Sequence, residues 1–169
     1  MVDRRARAEE TRRQLLDAAT RVFETSGYRA TSVAAITKEA ATAHGTFYLY
    51  YVGSTFGSNN SVIGLATNTT LDPASPDYKW VDHGMVLRSF SNNDWNAIDP
   101  SLVSDADGGM WMVFGSYWSG IKLRKIDAAT GMLDKTDTQL YSLASRGGGA
   151  VEAPSIVERK GMYYLFVSF

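Results

Sequence analysis

Along the first 50 residues, apolar side chains recur at helical spacing. Leu15, Ala19, Val22 and Phe23 fall at i, i+4, i+7 and i+8, and Leu16 and Ala18 widen the stripe. Arg12, Arg13, Asp17, Arg21 and Glu24 take the opposite side. The spacing predicts an amphipathic helix from about Arg7 to Thr25. Gly27 stands where a left-handed cap would end it, and Tyr28 can fold back on its apolar face. Thr31 then predicts the N-cap of a second, shorter helix with Val33, Ile36 and Ala40 facing inward. After a tight joint at Ala41 and Thr42, a third helix is expected from Ala43 to about Tyr50. Short helices joined by such turns predict a helix-turn-helix.

From residue 47 the pattern becomes that of strands. FYLYYV (47–52), SVIGLAT (61–67), MWMVFGSYW (110–118), GIKLRKI (120–126) and MYYLFVSF (162–169) are separated by Gly, Asn, Asp and Pro clusters. There is also a repeat. Asp99-Pro-Ser-Leu-Val, a Gly turn at Asp107 and an aromatic strand from Met110 are echoed by Ala153-Pro-Ser-Ile-Val, Lys160-Gly161 and an aromatic strand from Met162, 52 to 54 residues later. A period of that length, with about four short strands per unit, points to β-propeller blades. The fold class is therefore α+β by segments: a three-helix helix-turn-helix over 1–47, then propeller blades over 48–169.

Charge and composition sharpen the seam. Residues 1–50 hold eight Lys and Arg against six Asp and Glu, with two glycines and no proline or tryptophan. The remainder holds nine against twelve, and thirteen glycines, four prolines and four tryptophans. With no cysteine in the chain, a disulfide framework and a thiolate metal site are excluded. No apolar run approaches the roughly 18 residues of a membrane span, and the first 20 residues have no signal-peptide core. A cytoplasmic location is the expectation, an extracellular parent enzyme being the alternative.

The stretch TRRQLLDAATRVFETSGYRATSVAAITKEAATAHGTFYLYY resembles the DNA-binding domain of TetR-type repressors, most specifically from Phe23 to Ile36 and from His44 to Tyr50. The resemblance implies that His44, Gly45, Thr46 and Tyr48 approach bases and phosphates, with seven arginines before residue 30 neutralising phosphate. A single reader of this kind is expected to bind DNA weakly.

YYVGSTFGSNNSVIGLAT (50–67), WNAIDPSLV (95–103), FGSYWSGI (114–121) and VEAPSIV (151–157) resemble glycoside hydrolase family 43, in particular its endo-arabinanases. That resemblance implies a five-bladed propeller that hydrolyses arabinan with inversion, of which 48–169 would form an incomplete part, about two to two and a half of five blades. Glu152 would be the general acid, and Asp99 the carboxylate that tunes its pKa and orients it. Trp95, Asn96, Phe114, Ser116 and Trp118 would line the sugar cleft. An inverting enzyme needs an acid on the leaving oxygen and a base about 6.5–9.5 Å away that activates water. In the family the base is an Asp on the first strand of the first blade, where this chain has its helical segment. An impaired hydrolase is the resulting expectation. No cofactor is expected, and the ligands of the structural metal that some members hold are not in this chain. His83 reads as a surface histidine and Asp105 to Gly108 as a hairpin turn.

The word YLYY at 48–51 is shared by both resemblances, ending a helix in one and filling a strand in the other. Three readings follow: an arabinan-active hydrolase fragment with a foreign helical N-terminus; a DNA-binding module with a non-catalytic β passenger; and a chimera without evolved function whose exposed blade edges drive self-association.

Overall fold

The computed structural model describes residues 4–28, 31, 33–40 and 45–169. Its elements are α1 (Arg4–Ser26), α2 (Val33–Glu39) and nine strands: β1 (Phe47–Ser54), β2 (Ser61–Asn68), β3 (Val81–Ser89), β4 (Ser101–Ser104), β5 (Met110–Phe114), β6 (Ile121–Ile126), β7 (Tyr141–Ala144), β8 (Glu152–Arg159) and β9 (Met162–Ser168). The chain divides into two compact units, one of residues 1–47 and 67–81, the other of 48–66 and 82–169.

In the first unit, α1 buries Ala18 and Val22, the centre of the apolar stripe. Gly27 has φ 74° and its amide bonds the Phe23 carbonyl at 3.0 Å, closing the helix with the left-handed residue that glycine adopts without a Cβ clash. Tyr28 folds back on Phe23, ring centroids 5.5 Å apart. Arg21 pairs with Glu39 of α2 at 2.8 Å. The Thr31 hydroxyl donates to the Gly27 carbonyl at 2.9 Å, at the end of α1. In the 67–81 segment the Asn68 side-chain oxygen accepts the amides of Thr70 and Lys79. No described helix is long and apolar enough to cross a membrane.

The expected three-helix helix-turn-helix is corrected here: the described residues contain two helices. His44 and the joint at Ala41 and Thr42 lie outside the described residues. Gly45 and Thr46 belong to no regular element, and Tyr48 is built into β1. The reason is tertiary. Tyr48 and Tyr50 alternate on one face of the strand and pack on the core formed by Ile63 and Leu65. The Tyr50 hydroxyl donates to the Gly131 carbonyl at 2.6 Å. Burial, and to a lesser degree Tyr48, push the Tyr50 hydroxyl up to about 12. A helix over 43–50 would forfeit this packing.

The second unit stacks three sheets, ordered β1-β2-β3, β4-β5-β6-β7 and β8-β9, the last two antiparallel throughout. The strands of the middle sheet alternate between two cores. Met112, Phe114 and Ile126 face Ile63, Leu65, Val86 and Leu87 of the first sheet. Val113, Ile121 and Leu123 face Val151, Ile156 and Leu165 on the side of the third. Each fully buried side chain of this size contributes about 1.5–3 kcal/mol. Asp105 pins the β4–β5 turn by accepting the Gly109 amide at 2.6 Å, the Asp107 amide at 3.0 Å and the Trp111 indole at 2.8 Å. These donors, the indole first, hold its carboxyl below the usual carboxylate range. His83 is exposed on β3.

Candidate functional site

Four connections of the second unit meet at one end of the stacked sheets and enclose a cleft of about 650 Å³. The β1–β2 hairpin supplies Ser54, Thr55, Phe56, Gly57 and Ser58; the approach to β4 supplies Asn96 and Ile98. The turn after β5 supplies Ser116, Tyr117 and Trp118, and the segment entering β8 supplies Gly148 and Glu152.

Polar contacts fix these walls. Ser54 and Ser61, on either side of the β1–β2 hairpin, share a hydroxyl contact of 2.8 Å, and Ser61 donates to the side-chain oxygen of buried Asn96 at 2.7 Å. Asn59 donates to the carbonyls of Asn93 and Trp95, and its own carbonyl accepts the Ser89 hydroxyl at 2.5 Å. The Ser89 oxygen in turn accepts the Ala97 amide at 2.9 Å. Every one of these groups would be costly to bury alone. Together they hold the Asn96 backbone and side chain at the cleft wall.

The opposite wall is a turn of unusual backbone. Tyr117 and Trp118 are consecutive left-handed residues, φ 47° and 38°. Such residues persist only where the surroundings over-determine them. Here the Tyr117 amide bonds the Val151 carbonyl at 3.0 Å, the Ser119 amide bonds the Asp94 carbonyl at 2.7 Å, and Trp118 bridges Gly148. Ser116 is buried and its hydroxyl lies 3.3 Å from Oε2 of Glu152.

The two carboxylates singled out from the sequence come together through the backbone. Oδ2 of Asp99 accepts the amide of Ala153, the residue after Glu152, at 3.1 Å. Glu152 lines the cleft, as does Ile98, the residue before Asp99. Of the five residues expected to contact sugar, Asn96, Ser116 and Trp118 line the cleft. Phe114 is wholly buried in the first core, and Trp95 packs on that core with its ring edge-on to Phe114 at 5.8 Å. Sequence reasoning missed Phe56, fully exposed at the hairpin tip, and Tyr117. It also missed the Ser54, Ser61 and Asn59 contacts, whose partners lie up to 36 residues away. Among the described residues, no three His, Asp or Glu side chains gather as a metal site would require.

The same strands are those matched by known proteins. Residues 25–169 match the pattern of glycosyl hydrolases family 43. An extracellular endo-alpha-(1->5)-L-arabinanase of Bacillus subtilis is 50% identical over 128 residues, 75% of this chain and 38% of that protein. An extracellular exo-alpha-(1->5)-L-arabinofuranosidase of Cellvibrio japonicus is 43% identical over 74% of this chain and 39% of its own length. The chain thus spans about two fifths of the relatives it matches. The structure of Cellvibrio cellulosa alpha-L-arabinanase complexed with arabinohexaose superposes with a TM-score of 0.68 at 42% identity, covering 74% of this chain and 43% of that one. The match takes in the hairpin, the left-handed turn and both carboxylates, and the chain belongs to glycosyl hydrolases family 43.

Proposed function

We propose that the chain carries part of the active site of an inverting, arabinan-degrading hydrolase, with its stacked sheets as successive blades of a propeller. The observation that carries this reading is the position of Glu152 on the cleft wall, within reach of the Ser116 hydroxyl and followed directly by the amide that Asp99 holds. Glu152 acts as general acid. As the glycosidic C–O bond breaks, its proton passes to the leaving oxygen while a water attacks the anomeric carbon from the opposite face and gives its proton to a base. No described residue is assigned as that base. Asp99 orients the acid by fixing the start of β8. Asn96, Ser116 and Trp118 contact the sugar, with Phe56 and Tyr117 offering aromatic faces to furanose rings. Arabinan or a linear arabino-oligosaccharide is the substrate, as the names of the relatives suggest.

The test is release of reducing sugar from debranched arabinan by the purified chain beside a Glu152→Gln variant, with calorimetric binding of linear arabinotriose to both. Turnover reduced about 100-fold or more in the variant, with binding kept, is the expected result. Equal turnover in the two proteins removes Glu152 as the acid, and absence of both turnover and binding refutes the carbohydrate reading.

A further inference from the structure

Lys122 is the second residue of β6, paired across the sheet with Phe114 of β5. Phe114 is wholly buried in the core, and only 4% of the Lys122 surface is exposed. A methionine or leucine would fill the position without a charge. The ion pairs among the described residues are confined to the helices, Arg13 with Glu10 and Arg21 with Glu39. Lys122 thus has neutral partners: its ammonium donates to the Ser119 carbonyl at 3.1 Å and to the Ser142 hydroxyl of β7 at 2.8 Å. Burying an ammonium without a counter-ion is expensive, so what the ammonium reaches is what the position is for.

It reaches the turn that forms the cleft wall. Ser119 follows the left-handed pair Tyr117 and Trp118, and Gly120, at φ 84°, closes the turn with its amide on the Tyr117 carbonyl at 2.6 Å. A Cβ at Gly120 would collide with the Ala144 carbonyl of β7, so the turn is pressed against the same strand whose Ser142 receives the ammonium. We propose that Lys122 is a positioning residue: its buried ammonium clamps the Ser119 carbonyl to β7, and thereby holds the strained turn that presents Ser116 to Glu152 and Tyr117 and Trp118 to the cleft. Its role in sugar recognition rests on the hydrolase reading above; its hold on the turn does not.

The experiment compares the full chain with Lys122→Met, close in volume and without a donor, and Lys122→Gln, which keeps a neutral donor. Hydrogen exchange is followed in peptides covering residues 115–120 and, separately, 121–126, with arabinotriose binding measured by calorimetry. The Met variant is expected to exchange the turn amides about tenfold faster or more while β6 keeps its protection, with Gln intermediate. Arabinotriose affinity falls in the same order. Unchanged protection of the turn, or equal loss of protection in the turn and β6, overturns the proposal. If the Met variant does not melt cooperatively, the Gln variant is judged on the same two peptides by the same criteria. Absence of arabinotriose binding to the unaltered chain counts against the hydrolase reading alone, since the exchange result stands without ligand.

Discussion

The Asp99 carboxylate accepts the backbone amide of Ala153 at 3.1 Å, and the two residues hold the same place in consecutive repeats, 54 positions apart. Both precede a proline and both are left-handed, with φ 55° and 50°. The repeat therefore aligns Glu152 with Ile98, and these two line the cleft together. The carboxylates are one step out of phase. One faces the cleft, and the other crosses to the next repeat and fastens its first turn.

Ala153 holds its left-handed conformation without the polar side chain that eases it at Asp99. Ala153→Gly is expected to raise stability by about 0.5–1 kcal/mol, read from the urea midpoint at constant slope. A lower midpoint would place the strain elsewhere.

Phe56 projects from the hairpin tip with no core role. Phe56→Ala should leave the thermal midpoint within a degree or so of the parent, since exposed apolar groups contribute little to folding. It should weaken arabinotriose binding by about tenfold, a loss of about 1.4 kcal/mol. Equal affinities in calorimetry would remove Phe56 from the sugar cleft.

Asp134 accepts the Thr136 hydroxyl and the amides of Asp137 and Thr136, at 2.6, 2.9 and 2.7 Å. The hydroxyl first, then the Asp137 and Thr136 amides, lower its carboxyl to about 2. A depressed folded-state value stabilises the fold above the unfolded value of about 3.9, and that contribution is lost as pH falls toward 2. The stability difference between the parent chain and Asp134→Asn should therefore narrow between about pH 4 and pH 2. A constant difference across that window in urea titrations would contradict the assignment.

Tyr50 presents the opposite sign. Its hydroxyl is raised to about 12 by burial, so the neutral form stabilises the fold fully below the unfolded value of about 10 and less as pH rises toward 12. Tyr50→Phe loses the bond to Gly131 and should cost about 1 kcal/mol at neutral pH. Its alkaline limb should be shallower than that of the parent. Parallel alkaline limbs in the two proteins would show that Tyr50 ionises without penalty.

The regular parts of the structure were legible because local chemistry and tertiary burial agree there. The stripe of α1, the Gly27 stop, the turn at Asp105 and the aromatic strands all follow from spacing and turn residues. At Tyr48 to Tyr51 the two disagree. The same word suits a helix end or a strand, and it is decided by a core whose other half comes from Ile63, Leu65 and Gly131. Of the residues singled out in the sequence, Glu152, Asn96, Ser116 and Trp118 line the cleft. Trp95 and Phe114 pack on the core instead, and an aromatic residue carries no local mark of which face it takes. The Ser54, Ser61 and Asn96 contacts and the burial of Lys122 depend on partners brought together only by the fold.

From Met112 to Phe114, strand β5 is buried on both faces and has no spare side. A side chain of β5 that faces one core has sequence neighbours that face the other, so repacking on either side is felt by the opposite one through a single strand. Exchange or proteolysis that opens one interface should then open its partner at nearly the same free energy. The Ser116 turn issues directly from that strand, so wherever the strand is loosened, the shape of the cleft is lost with it.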